Sequence, residues 1–379
     1  MFSEERVKTG STVLSESHFA RLAGCKVGFI GNHTSRLNSG SSTVAELIKS
    51  QVCTVVRLFA PEHGAHGAYD DMVDDETDTV TGIKVYSLYG KNRKPTPAML
   101  AGLDCILFEL QDVGARFYTY SATLLLAIDA AHEAGIKVFV LDRPNPIGGM
   151  LYDGPYPDEG VVSFVAPYRV PIQFGLTLGE LASLYAAETN KTDTVEIIKL
   201  DGWDRSFYFE DTGLDWISPS PAMRSVDTAI VYPGVCLIEQ TNVSVGRGTR
   251  TPFEVAGAPF IVGPRLADTL SAQNYPGVSV TPTSFVPTAS KYEGEKCGGI
   301  RLAVTDRRIF RPVRFGVLLA ATLWKLYKDD FDLDGMQNIL ASGNSLTMLK
   351  VGATSDEIAT TWSRSLTDWT TRRQYSLLY

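Results

Sequence analysis

No apolar run in this sequence approaches the ~20 residues needed to cross a bilayer, so a membrane-spanning helix is not expected. There is also no lysine- or arginine-rich run long enough to follow a phosphate backbone, and the formal charge is −8, which speaks against nucleic acid as a main partner. The cysteines are few: Cys25, Cys53, Cys105, Cys236 and Cys297 are five in number and lack CxxC spacing. That pattern indicates neither a disulfide framework nor a zinc knuckle, and reduced, mostly buried thiols are expected. The P-loop signature (GxxxxGK followed by Ser or Thr) and a GxGxxG between strand and helix are both missing, so no cofactor is expected. Internal repeats and low-complexity segments are absent too. The opening residues MFSEERVKTG hold no apolar core of signal-peptide length. The expectation is a cytoplasmic protein, or a periplasmic or secreted one if a leader has been removed.

What is present reads as globular. With 379 residues, 44% of them hydrophobic and 21% charged, the chain can bury a core and suggests two domains. KVGFI (26–30), TVVRLFA (54–60), CILFEL (105–110), KVFVL (137–141) and VEIIKL (195–200) are β-branched runs that predict strands. Between them STVAELIKS, TPAMLAGL, SATLLLAIDAAHEAG and TLGELASLYAAETN carry helical spacing, with Gly135 closing the third. The fold class is α/β: a Rossmann-like, mostly parallel sheet with helices on both faces, plus a smaller α+β C-terminal domain. Residues 1–225 and 226–379 are the expected division. In the second part GIRLAVT (299–305) predicts a strand, and PVRFGVLLAATLWKLYKD and SDEIATTWSRSLTDWTTRR each predict a helix.

Open α/β sheets bind ligands beyond the carboxyl ends of their strands. Four such ends deliver polar groups here. GNHTSR brings Asn32 and His33, PEHGAHG brings Glu62, His63 and His66, QDVGARFYTY brings Asp112, Arg116, Tyr118 and Tyr120, and DRPNPIGG brings Asp142, Arg143 and Asn145. Pro61, Gly64 and Gly67 can hold the Glu62 carboxylate in one direction, as a general acid or base requires; Glu62 could instead cap a helix or pair with Arg57 or Arg116. His63 suits a partner tuning Glu62. The alternative is a metal-dependent hydrolase using His63 and His66 with Asp70 and Asp71, but the spacing matches no strong metal signature and no metal is expected. Asp112 and Arg116, followed by aromatics, could bind hydroxyls and stack on a sugar ring, or simply order the loop. Asp142 and Arg143 could bind a ligand or brace their turn. Further on, IEQTNVSVGRGTRTPFEVAGAPF gathers Glu239, Asn242, Arg247, Arg250 and Glu254, a clamp for an anionic group or a set of structural ion pairs.

Taken in order, APEHGAHG, SLYG, LQDVGARFYTY, LDRPNPIGG, FGLTLGELA, RSFYFEDTGLDW, YPGVCLIEQTNVSVGRGTRTPFEVAGAPF and CGGIRLAVTDRRIFRPV resemble the bacterial exo-β-N-acetylmuramidase family over roughly residues 25 to 379. The resemblance implies a glycoside hydrolase that removes N-acetylmuramic acid from the non-reducing end of peptidoglycan fragments. A non-catalytic muropeptide-binding module is the alternative. The resemblance also implies that Glu62 is similar to the family's catalytic carboxylate, and that Asp112, Arg116, Tyr118, Asp142, Arg143 and Asn145 match its cleft motifs. Glu239 or Asp112 could be the second catalytic group, or the substrate's own acetamido oxygen could serve. The lactyl carboxylate of the sugar could meet Arg116, Arg143, Arg247 or Arg250. Ser220, Gln240 and Val245 depart from the family pattern, so the sugar or leaving group accepted could differ.

Overall fold

The computed structural model describes residues 6–67, 75–79 and 81–379. The first part forms a sheet from β1 (Lys26–Gly31), β2 (Thr54–Ala60), β3 (Glu76–Thr77), β4 (Lys84–Ser87), β5 (Cys105–Glu109), β6 (Lys137–Leu141) and β7 (Val195–Ile198). Its order is β3-β4-β2-β1-β5-β6-β7, and only β3 runs antiparallel to its neighbour. β5 shows why this sequence makes such a sheet. Every residue of CILFE is buried, Cys105 and Leu107 against one apolar cluster and Ile106 and Phe108 against another, as period-two alternation between two covered faces requires. Leu47 of the helix Thr43–Ser50 belongs to the first cluster, and Leu124 and Ile128 of the helix Tyr120–Ala134 to the second. Helices therefore cover both faces.

Helix ends follow local chemistry. Gly135, at φ +68, closes Tyr120–Ala134 in the left-handed conformation that favours glycine. Thr177 and Glu180 form a reciprocal capping box at the start of Leu178–Glu188.

The second part has a smaller antiparallel sheet, order β8-β10-β9, from β8 (Val255–Ala258), β9 (Val278–Phe285) and β10 (Cys297–Val304). A helix the sequence did not announce, Val226–Val235, opens on the Ser225 cap and packs against Pro312–Leu326. A Cβ on Gly234 would lie 2.0 Å from the Pro312 carbonyl oxygen, so glycine there permits the close crossing. The expected helix over SDEIATTWSRSLTDWTTRR is two, Ser355–Thr360 and Ser363–Gln374. Between them Trp362 turns inward and donates from Nε1 to Ser345 Oγ at 3.0 Å.

The two parts share one apolar core containing Ile106, Phe174, Tyr232, Phe315 and Trp369. Polar ties reinforce it: the Tyr379 hydroxyl donates to Asp142 Oδ2 at 2.8 Å, and Trp369 Nε1 to the Phe174 carbonyl at 3.0 Å. Arg116 is the strongest tie. Fully buried, its guanidinium donates to the carbonyls of Pro155 and Val170 (2.9 and 3.2 Å) and of Ile339 and Leu340 (3.1 and 3.0 Å). Replacing it with Met leaves four buried carbonyl oxygens without donors, at roughly 1–3 kcal/mol each before relaxation. Arg116→Met is expected to lower the unfolding free energy by more than about 3 kcal/mol in a urea titration.

Candidate active site

A cleft of about 530 Å³ opens beyond the carboxyl ends of β2, β4 and β5 and is closed on its far side by the second part of the chain. Its size falls in the range of small-molecule sites. Glu62 enters from the end of β2. Pro61 leaves the strand, the Gly64 N–H returns to the Pro61 carbonyl at 3.0 Å, and His63 sits at the corner with φ +73, where non-glycine residues are strained. The turn therefore aims Glu62 in a fixed direction, and His63, itself buried, lines the cleft beside it.

Two hydroxyls hold the Glu62 carboxylate. Thr119 Oγ1 donates to Glu62 Oε2. Thr119 is the N-cap residue of Tyr120–Ala134 yet makes no side-chain bond to its own helix, so the group that ordinarily caps a helix is committed to the carboxylate instead. The second is Tyr89, from the loop after β4. Burial and the hydrogen bond to Glu62 push its hydroxyl up to about 12.

Glu239 lines the same cleft from the second part. Arg247 Nε donates to its Oε1 and the Cys236 thiol to its Oε2 at 3.2 Å, while the Lys291 ammonium donates to its backbone carbonyl. An aromatic wall lines the same cleft: Phe117 and Tyr118 meet Tyr232 edge-on at 5.3 and 5.9 Å, and Tyr232 meets Phe253 at 4.7 Å. Phe164 and Arg93 stand at another side of the cleft.

Of the residues nominated from sequence, the structure brings Glu62, His63, Tyr118, Glu239 and Arg247 into this one cleft. Others lie elsewhere, for identifiable reasons. Asn32 holds Thr34 through its Oδ1 and donates to the Tyr120 hydroxyl at 2.9 Å. Tyr120 in turn fixes the Pro219 carbonyl, and His33 Nε2 bonds the Ser218 carbonyl at 2.7 Å. The loop after β1 is thus a scaffold for the segment that brings Ser220 to the cleft. Asp112 is buried and accepts from the Gly114 N–H at 2.7 Å. The Nη1 and Nη2 donors of Arg116 go to backbone carbonyls, as described. Asp142 accepts from Thr177, the Gly179 N–H and Tyr379. Arg143 bonds Glu109 and Gln111, and Asn145 donates to the Leu176 carbonyl. Asn242 clips the 330–332 turn, and Arg250 is exposed outside the cleft. Arg57, a possible partner for Glu62, donates to the Ala101 carbonyl instead. Of the departures from the family pattern, Ser220 and Gln240 line the cleft, whereas Val245 is buried behind it.

His66 does not join His63. It opens onto a smaller cavity of about 300 Å³ with Asn32, His33 and Arg36. Asp70 and Asp71 lie outside the described residues, and among the described residues no group of three or more His, Cys, Asp or Glu is arranged to hold a metal. The five cysteines are free. Among the described residues no helix is long and apolar enough to cross a membrane.

Sequence reasoning missed Tyr89, Arg93, Thr119, Phe164 and Tyr232. The motif SLYG holds Tyr89, but the strand that carries it, KVYS, is only four residues long and did not stand out.

A two-part α/β fold whose sugar-sized cleft is lined by two glutamates and an aromatic wall matches the class of carboxylate-equipped glycosidases. Residues 27–227 match the family described as Exo-beta-N-acetylmuramidase NamZ, N-terminal, and residues 230–379 match its C-terminal counterpart. The chain belongs to the NamZ exo-β-N-acetylmuramidase family. It is 40% identical to the peptidoglycan beta-N-acetylmuramidase NamZ of Bacillus subtilis (strain 168), over 99% of this chain and 92% of that protein. Two crystal structures of DUF1343 family proteins from Bacteroides fragilis NCTC 9343 superpose with TM-scores of 0.92 and 0.81, at 32% and 27% identity, each covering 99% of both chains.

Burial pushes the Asp112 carboxyl up to about 7, against the Gly114 and Val113 N–H groups that favour its charged form. Because the folded-state value lies above the ordinary one, protonation favours the folded state. The associated stability is present below about pH 4 and lost as pH rises through about 7. Asp112→Asn is expected to flatten the pH dependence of the urea midpoint across that window.

Proposed function

We propose that the protein is an exo-acting glycoside hydrolase that releases N-acetylmuramic acid from the non-reducing end of peptidoglycan fragments, in cell-wall turnover and recycling. The observation that carries the site assignment is the Glu62 carboxylate, held by Thr119 and Tyr89 in a sugar-sized cleft that also contains Glu239. Glu62 protonates the oxygen of the leaving group as the C1–O bond breaks. Glu239, kept as an ion pair by Arg247, faces the oxocarbenium-like centre and either traps it or activates the incoming water. If Glu239 traps the centre, water then attacks C1, the C1–O bond to Glu239 breaks and Glu62 takes the water proton; if Glu239 activates the water, it takes that proton itself, and exchange with solvent returns one to Glu62. His63 positions the turn that carries Glu62, and Tyr118 with Tyr232 forms the apolar wall against which a pyranose ring packs. Residues 1–225 supply Glu62, and residues 226–379, beginning at the Ser225-capped helix, supply Glu239 as an auxiliary domain.

Incubation with a chromogenic aryl N-acetylmuramide tests this. The unaltered protein is expected to cleave it faster than the matching glucosaminide, and Glu62→Gln to lower kcat by about 10²-fold or more. A full rate in Glu62→Gln would leave only a binding role. Since His63 and His66 open onto different cavities, added chelator is expected to leave the rate unchanged. Thr119→Val, which removes one hydrogen bond that orients Glu62, is expected to lower kcat about 10-fold with KM little altered.

A further inference from the structure

We propose that Arg93 binds the lactyl carboxylate of the substrate and thereby selects N-acetylmuramides over N-acetylglucosaminides. The inference rests on the function proposed above and assigns its specificity to a residue outside the recognisable motifs. Four arginines suggested themselves from sequence for this task, and the fold occupies or removes each one. Arg116 is fully buried on carbonyls, Arg143 is bonded to Glu109, Arg247 is paired with Glu239, and Arg250 lies outside the cleft. Arg93 is different. It lines the cleft, its side chain is solvent-accessible, and among the described residues no aspartate or glutamate pairs with it.

Its geometry suits carboxylate capture. The guanidinium lies over the Phe164 ring, 4.5 Å from its centroid, so a cation–π contact holds its position without using its N–H donors. Phe164 packs at 6.1 Å against Tyr89, whose hydroxyl bonds Glu62. One connected row, Arg93–Phe164–Tyr89–Glu62, therefore sets a cation at a fixed remove from the carboxylate at which the glycosidic bond is broken. The loop bearing Tyr89 and Arg93 is itself anchored: the Ser87 N–H donates to Asp75 at 3.1 Å and the Tyr89 N–H to Ser87 Oγ at 3.2 Å. A muramyl residue differs from a glucosaminyl residue by the lactyl ether on O3, which adds one carboxylate. A planar fork can bind that group with two parallel N–H···O bonds, and no neutral O3 hydroxyl can replace it.

The test compares the aryl N-acetylmuramide with its lactyl methyl ester, which has nearly the same bulk but no charge, for the unaltered protein, Arg93→Gln, Arg93→Lys and Arg250→Gln. Arg93→Gln is expected to lower kcat/KM on the muramide about 10- to 100-fold, mainly through KM, while changing the ester rate little. Arg93→Lys should recover part of the loss, and Arg250→Gln should leave both rates unchanged. An equal loss on muramide and ester, or no loss on either, would overturn the role of Arg93 while leaving the hydrolase itself intact. Failure of the unaltered protein to cleave the muramide at all would overturn both.

Discussion

The guanidinium of Arg116 is a cation fully enclosed by protein, a placement that costs free energy unless its donors are satisfied. Its Nη1 and Nη2 donors are met by carbonyls from two distant stretches, Pro155 and Val170 on one side and Ile339 and Leu340 on the other, while among the described residues Nε has no hydrogen-bond partner. Those stretches adjoin walls of the cleft: Ser163, Phe164 and Val165 lie between the first pair, and Asn338 and Ile339 at the second. Arg116 also sits three residues before Thr119, which holds Glu62. One buried charge thus ties together the 163–165 wall, the 338–339 wall and the stretch that carries Thr119 and fixes Glu62. Burial lowers its pKa to about 9, so the group stays protonated near neutrality and the clamp stays closed.

Much of the fold was legible because its central strands are buried on both faces and read as nearly continuous apolar runs, as in KVGFI and CILFE. The gaps have local causes. β8 is VAGA, whose alanines and glycine carry little strand signal, and β9 is mostly half-exposed with Pro282 inside it. The helix Val226–Val235 holds Pro233 and Gly234, which read as breakers although Gly234 is what allows the helix to touch Pro312. Tertiary packing overrides local propensity at each of these places.

The site was harder to read for a chemical reason. Asp, Asn and Arg at strand ends either meet a ligand or satisfy the backbone groups that the strand leaves behind, and both tasks select the same residue types. Asn32, Asp112, Asp142, Arg143 and Asn145 all bond backbone or neighbouring side chains. The residues directly following β2, β4 and β5 turn side chains into the cleft, whereas after β6 and β7 it is the distant stretches 163–165 and 220–223 that reach it. The β2 loop was the clearest beforehand, because Pro61 and two glycines around Glu62 marked a stiffened turn, and of the residues nominated in the β5 loop Tyr118 reaches the cleft.

The division of labour among these loops follows from sheet order. β1 lies at the centre, with β2 and β4 on one side and β5, β6 and β7 on the other, so the crevice opens where the chain changes direction around β1. The loops nearest that crevice supply Glu62, Tyr89, Arg93 and Tyr118, whereas β6 points its polar end at the chain terminus and Tyr379. Chemistry and scaffold are therefore separated along the sheet. Because Glu62 comes from the sheet and Glu239 from the 3-10 turn that ends the second part's first helix, any change in how the two parts pack alters the distance between the carboxylates. That dependence gives a physical reason for a core shared across both parts, as seen in Tyr232, Phe315 and Trp369.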